Sequence, residues 1–144
     1  MDPRLTIESE PAAGDLRAVR RGLQQYNRLA SSMDDTRMFG VFLRDADGQV
    51  RGGVEAASWG EWLEIAFLWV DPAFHRQGYG SQLLRAAESE GRHRGCRWAQ
   101  LDTYSFQAPE FYRRHGYEPF GVLDGFPGGV SHFYLKKRLA DGPA

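Results

Sequence analysis

Residues 62–70 read Trp-Leu-Glu-Ile-Ala-Phe-Leu-Trp-Val, and Asp71 and Pro72 follow directly. A strand this apolar is buried on both faces, which places it in the middle of a sheet. Proline cannot continue a central ladder, so the strand stops at residue 70. Six residues later comes Gly78-Tyr79-Gly80-Ser81. Residues 81–94 then carry Leu83, Leu84 and Ala87 at helical spacing, with Gly95 placed to end the helix. Two glycines one residue apart let the backbone turn tightly and approach a ligand closely. The helix start behind them presents unpaired N–H groups and the positive end of the helix dipole. A central strand, a glycine loop and a helix N-terminus in that order form an anion site, best suited to a pyrophosphate. Two familiar phosphate loops are excluded. Leu83 stands where a Rossmann fingerprint has its third glycine, and no lysine precedes Lys136, so there is no P-loop.

The rest of the chain organises around this segment. Residues 5–10 alternate apolar and polar side chains, which predicts a first strand. Asp15 is placed to cap a helix whose apolar positions are Leu16, Val19, Leu23 and Tyr26. Residues 30–35 read as a loop or short helical turn. A meander follows, with strands predicted over 37–44, 50–58 and 62–70, the first two joined through Asp45-Ala46-Asp47-Gly48. Beyond the long helix, 97–103 is a strand and 108–115 a short helix opened by Pro109 and stopped at Gly116. Residues 117–123 and 130–139 close the chain as two strands. The order is β-α-βββ-α-β-α-ββ, an α+β class with a mixed central sheet of about seven strands flanked by helices.

With 144 residues, the chain is expected to be one domain over 1–140 with a frayed tail at 141–144. Hydrophobic residues make up 42% and aromatic residues 13%, enough for a packed core. Eighteen basic against 19 acidic residues leave a net charge of −1, which argues against a nucleic-acid binder. The longest apolar run, residues 65–70, is too short to span a membrane, and the N-terminus lacks the apolar core of a signal peptide. The single cysteine, Cys96, excludes an internal disulfide and suits a small buried hydrophobe in a reducing, cytoplasmic setting. His75, His93, His115 and His132 have no metal-ligand spacing with one another or with Cys96, so no metal is expected. His132 and Lys136-Lys137-Arg138 read as the polar face and end of the last strand.

Two separate motifs carry a family resemblance. Val70-Asp71-Pro72, Gln77-Gly78-Tyr79-Gly80 and Leu83-Leu84 closely resemble the central motif of the GNAT (Gcn5-related) N-acetyltransferases. Ala108-x-x-Phe111-Tyr112-x-x-x-Gly116-Tyr117 is similar to that family's Ala-x-x-Phe-Tyr-x-x-x-Gly-Phe, and the element order matches along about the whole chain. His75, followed by Arg76, departs from the arginine or glutamine usual at the loop's start. Ser105 replaces the asparagine that often precedes the second motif. The resemblance implies an acetyl-CoA cofactor. Its pyrophosphate would lie on the loop amides of Arg76, Gln77, Gly78, Tyr79, Gly80 and Ser81, with His75 also among the cofactor-binding residues. Leu68, Trp69, Val70, Ser105 and Tyr112 would lie along the rest of it.

Acetyl transfer from a thioester to an amine needs a proton acceptor for the amine, fixed donors for the thioester oxygen, and a proton for the leaving thiolate. Glu64 is the first candidate for the base. In the resemblance, residues 63–67 align with the strand that carries the glutamate base in the histone-acetylating branch. Glu55, Glu61 and Asp102 are reserves, each read more simply as a surface or strand-end carboxylate. Tyr112 is the candidate acid, since a phenol pKa of ~10 suits protonation of a thiolate and the resemblance places it beside the cofactor sulfur. A backbone N–H near Leu68 would serve the thioester oxygen if the strand splays or bulges there. Asp34, Asp35, Trp62 and Phe106, with Met33, Trp59 and Glu61, fall in loops or strand ends that rim the acceptor cleft in this fold. Aromatic and acidic side chains together suit a cationic amine.

The expected function is transfer of an acetyl group to a primary amine, within a complex of enzyme, cofactor and amine. The compact chain favours a small-molecule acceptor. Acetylation of a protein lysine or N-terminus is the alternative, and a non-catalytic acyl-CoA sensor a second. Glu64 and Tyr112 weigh against the sensor, which needs neither. The exposed strand edges of such a sheet suit pairing into a homodimer.

Overall fold

The computed structural model describes residues 2–31 and 35–139. The predicted tail at 141–144, together with Met33 and Asp34, lies outside the described residues. The chain divides into two compact units, Met1–Asp35 and Thr36–Ala144.

The first unit holds one helix, α1 (Ala13–Ala30). It begins two residues before Asp15, so Asp15 lies in its first turn and Ala12 is the N-cap, without a side-chain hydrogen bond. Asp15 therefore acts on the helix through its charge near the positive end of the dipole, not as the expected cap. Residues 2–7 carry no regular structure, and the strand expected over 5–10 does not form. That segment has only Leu5 and Ile7 as apolar positions, and Pro3 and Pro11 on its flanks lack the N–H a ladder requires.

The second unit is a mixed sheet with two helices. Its strands are β1 (Arg37–Arg44), β2 (Val50–Trp59), β3 (Trp62–Val70), β4 (Trp98–Tyr104), β5 (Glu118–Leu123) and β6 (His132–Arg138). The sheet has six strands instead of about seven, in the order β1-β2-β3-β4-β6-β5. β3 and β4 run parallel, and every other neighbouring pair is antiparallel. Between β3 and β4 the chain passes through α2 (Tyr79–His93), and between β4 and β5 through α3 (Pro109–Arg114).

One face of the sheet packs on α2. Val54, Ala56, Leu63, Ile65, Ala99, Leu101 and Leu135 from the strands meet Leu83, Leu84 and Ala87 from the helix, all buried. A fully buried leucine contributes ~1.5–3 kcal/mol relative to an exposed one, so Leu63, Leu84 and Leu135 anchor this layer. The helix lies close to the sheet because of Gly91, where a Cβ would come within 2.8 Å of Leu63 Cδ2. Gly95, at φ 90°, ends α2. Its N–H bonds the carbonyl of Arg92, and the N–H of Cys96 bonds that of Gly91, the paired bonds of a Schellman stop.

Glu88 lies four residues after Leu84 on the same stripe and is buried. Its carboxylate accepts from Tyr117 Oη at 2.8 Å and from Lys137 Nζ at 2.9 and 3.1 Å. Burial, and then the Glu88 charge, push the Tyr117 phenol far above its ordinary value. No helix among the described residues is long and apolar enough to cross a membrane.

Candidate active site

The site forms where β3 and β4 part. They pair over three positions, Trp62 with Trp98, Leu63 with Ala99 and Glu64 with Gln100. β3 is irregular just beyond. On β2, Ala56 faces Ile65 and Glu55 faces Phe67, so Ala66 bulges out of the ladder two residues before Leu68. From there the edge of β3 facing β4 has no ladder partner among the described residues.

A cleft of about 370 Å³ opens between the diverging strands. It is lined by residues 65–69 of β3, residues 101–104 of β4, Gln107 and Tyr112. A groove of about 650 Å³ continues from it and shares Leu68, Trp69, Gln107 and Tyr112. The groove ends on His75, Arg76, Gly78, Tyr79, Gly80 and Ser81.

Local chemistry sets the loop at that end. Asp71 accepts from the N–H of Ala73 at 2.9 Å, and His75 Nε2–H donates to the carbonyl of Val70 at 2.7 Å, folding the loop back on the strand it leaves. Arg76 has φ 60° and Gly78 φ 82°, two left-handed residues flanking Gln77. The left-handed conformation is strained for arginine and free for glycine. A Cβ on Gly78 would meet no protein atom within 4 Å, so side-chain bulk there would intrude on open space in the loop. The first helical bond of α2 runs from Gln82 N to Gly78 O, leaving the N–H groups of Tyr79, Gly80 and Ser81 ahead of the ladder. The loop fits a pyrophosphate, and the cleft at the other end gives an extended ligand an unpaired strand edge to lie on.

α3 supplies the other wall. Ala108, at φ 62°, is its N-cap, and Phe111 and Tyr112 pack edge to face at 5.1 Å. Burial raises the Tyr112 phenol above its ordinary value, and the negative charge of Asp102 raises it further. Tyr112 is thus held in its protonated form where cleft and groove meet. Ser81 Oγ and His115 Nε2 lie 2.8 Å apart and tie the start of α2 to the end of α3.

Most of the residues expected to bind cofactor gather here: Leu68, Trp69, Val70, His75, Arg76, Gly78, Tyr79, Gly80, Ser81 and Tyr112 all line the groove. Gln77 and Ser105 do not. Ser105 is instead bonded across to the chain before β6, its Oγ accepting from Ser131 N at 3.1 Å and its N donating to Ser131 O at 2.8 Å. Glu64 stands in the last β3–β4 pair, just short of the cleft lining. Trp62 stacks on Trp98 at 5.8 Å, at the closed end. Phe106 stacks on Tyr104 at 5.5 Å, at the open end. Asp35 belongs to the first unit and is exposed. Glu55 lines a separate hollow of about 480 Å³ on β1–β3.

Sequence reasoning missed Gln107, whose side-chain oxygen accepts from Tyr104 N at 2.9 Å and fixes the end of β4 beside the cleft. It also passed over the pairing of Asp102 with His132, whose Nε2–H donates to Oδ2 at 2.8 Å. The alternation of β4 could have placed Asp102 and Tyr104 on one face, but nothing local announces His132. No cluster of three or more His, Cys, Asp or Glu able to hold a metal occurs among the described residues.

Comparison with known proteins agrees with this geometry. Residues 8–117 match the family described as "Acetyltransferase (GNAT) family". A protein named blasticidin-S acetyltransferase, from Streptomyces morookaense, is 31% identical over 138 residues, covering 95% of this chain and 97% of its own. The crystal structure of an acetyltransferase from Bacillus cereus is 34% identical, with a TM-score of 0.77, over 93% of this chain and 98% of that one. A Bacillus anthracis structure described as a streptothricin acetyltransferase in complex with acetyl coenzyme A shares the fold. Its TM-score is 0.61 at 18% identity, over 70% of this chain and 62% of that one.

Proposed function

Because the chain belongs to the GNAT acetyltransferase family, we propose that it moves an acetyl group from acetyl-CoA to the primary amine of a small molecule. The observation that carries this reading is the continuity of the groove. It runs from the loop at Arg76–Ser81, past Tyr112, into the cleft between β3 and β4. Acetyl-CoA, the thioester used by this family, supplies the activated acyl group. The loop amides and the start of α2 hold its pyrophosphate. The unpaired edge of β3 near Leu68 provides backbone N–H groups for the thioester oxygen, fixed before the reaction starts. Tyr112 gives its proton to the departing thiolate. A carboxylate takes the proton from the amine; Glu64, the first candidate from the sequence, stands in the last β3–β4 pair, short of the cleft lining. The blasticidin-S relative, matched over nearly its whole length, favours a small polar amine over a protein acceptor.

The test combines binding with turnover. Acetyl-CoA raises the melting temperature by mass action and NAD does not, while Gly80→Asp, which puts bulk and negative charge at the helix start, removes the shift. Release of CoA thiol is then followed with blasticidin S, a panel of other small primary amines and a lysine peptide. Absence of any shift at millimolar acetyl-CoA refutes the cofactor assignment. Turnover with the peptide alone would reassign the acceptor.

A further inference from the structure

Asp102 is the one carboxylate among the described residues that line the cleft between β3 and β4. It shares that lining with Tyr112, and its charge acts on the Tyr112 phenol. It is not a loose surface group. His132 Nε2–H donates to its Oδ2 at 2.8 Å, and the His132 side chain is only 11% exposed against 52% for Asp102. The imidazole cannot swing away. It stacks on Tyr104 at 4.3 Å and 14°, meets Tyr134 at 4.6 Å, and faces the edge of Phe126 at 6.1 Å. One carboxylate oxygen is thereby fixed by a buried ring, while the side chain as a whole stays accessible. Tyr104, Tyr134 and Phe126 thus pack around the imidazole and hold it in place, while the Asp102 side chain stays half exposed beside it. Glu64 has none of these features. It lies outside the cleft lining, and no buried partner fixes it among the described residues.

Resting on the acetyltransferase reading above, we propose that Asp102 receives the acceptor ammonium and takes its proton, and that His132 is the positioning residue that aims it. The ammonium gives one proton to Asp102 and becomes a free amine. Its nitrogen forms the new C–N bond as the C–S bond breaks, and the thiolate takes the Tyr112 phenol proton. The second nitrogen proton returns through solvent to Tyr112, and Asp102 releases its own to solvent. The net products are the amide, the free CoA thiol and one proton. Around Asp102 on this face the charged and titratable groups are Tyr112 of α3, Tyr104 of its own strand, His132, Tyr134 and Lys136 of β6, and Glu64 of β3.

The experiment measures acetyl-CoA affinity by calorimetry, and kcat/KM against pH with blasticidin S and the primary-amine panel. The variants are Asp102→Asn, Asp102→Glu, His132→Gln and Glu64→Gln. Asp102→Asn is expected to bind acetyl-CoA as the parent does, lose ~10²-fold or more in kcat/KM, and lose the acidic limb of the profile. Asp102→Glu restores part of the rate. His132→Gln costs less but displaces the acidic limb, which a packing role alone would leave in place. If Asp102→Asn does not fold, the profiles of Asp102→Glu and His132→Gln decide, and two parental profiles overturn the assignment. A parental rate and profile in folded Asp102→Asn also overturn it, as does a loss carried by Glu64→Gln alone. In these cases the acetyltransferase reading stands. A parent that binds no acetyl-CoA, or binds it and acetylates nothing in the panel, overturns that reading and this one together.

Discussion

Ser81 Oγ and His115 Nε2 are hydrogen-bonded at 2.8 Å across 34 residues of sequence, joining the first turn of α2 to the residue that ends α3. The imidazole sits in surroundings that favour its neutral form. Burial lowers its pKa, the charge of Arg85 lowers it further, and Lys137 and Arg114 add to this against the opposing pull of Glu88.

The sign of the consequence follows. A base with a depressed folded-state pKa binds fewer protons folded than unfolded, so stability rises with pH through that window. The contribution of His115 is fully present above the ordinary imidazole value of ~6.5 and is lost as pH falls below it, through the folded value. The expected outcome is a melting temperature that falls on acidification from pH 7.5 to 5 more steeply in the parent than in His115→Gln. Identical slopes would show that the imidazole does not titrate differently in the folded state.

Tyr112→Phe should lower kcat by ~10²–10⁴-fold, the usual worth of a general acid, and leave acetyl-CoA affinity nearly unchanged. Because burial and Asp102 raise the phenol, Tyr112 remains protonated through pH 9, and the parent should show no alkaline loss of rate from its ionisation below that pH. Ultraviolet difference titration of parent against Tyr112→Phe isolates the phenol. Asp102→Asn should bring its ionisation down. A fall in rate of only a few-fold for Tyr112→Phe would assign the ring to packing.

The Glu88 carboxylate is 3% exposed, and Lys137 is the cation that answers it. Lys137→Met leaves that charge buried with Tyr117 Oη as its remaining donor and should cost about 3–5 kcal/mol in denaturant unfolding. Adding Glu88→Leu to Lys137→Met removes the uncompensated charge and should recover most of that loss. A double variant no more stable than Lys137→Met would place the cost in lost packing of the lysine stem.

The parts of the fold that could be read from the chain are those encoded by neighbours. The apolar run of β3, the proline behind it, the glycines around Tyr79 and the spacing of Leu83, Leu84 and Ala87 each act within a few residues, and they placed the loop and α2 to within two residues. Residues 5–10 failed for the converse reason: two alternating apolar side chains describe a strand only if a partner edge is supplied, and alternation does not encode the partner. The site divides along the same line. The loop and Tyr112 lie in local motifs. Asp102 with His132, Ser81 with His115 and Glu88 with Lys137 are joined because β6 inserts between β4 and β5 and because α3 returns beside α2. Glu88 did leave one trace in the sequence, as a carboxylate on an otherwise apolar helical stripe.

The short pairing of β3 with β4 makes the sheet a pair of blades. β1, β2 and β3 form one through long antiparallel ladders, and β4, β6 and β5 the other. They meet over three residue pairs beside the stacked Trp62 and Trp98, with Glu88 reaching across from α2 to Tyr117 and Lys137. A molecule seated in the gap touches both blades at once and acts as a splint. If acetyl-CoA seats in this gap, its binding ties the two blades together, and a substitution beside Trp62 and Trp98 would alter both affinity and stability.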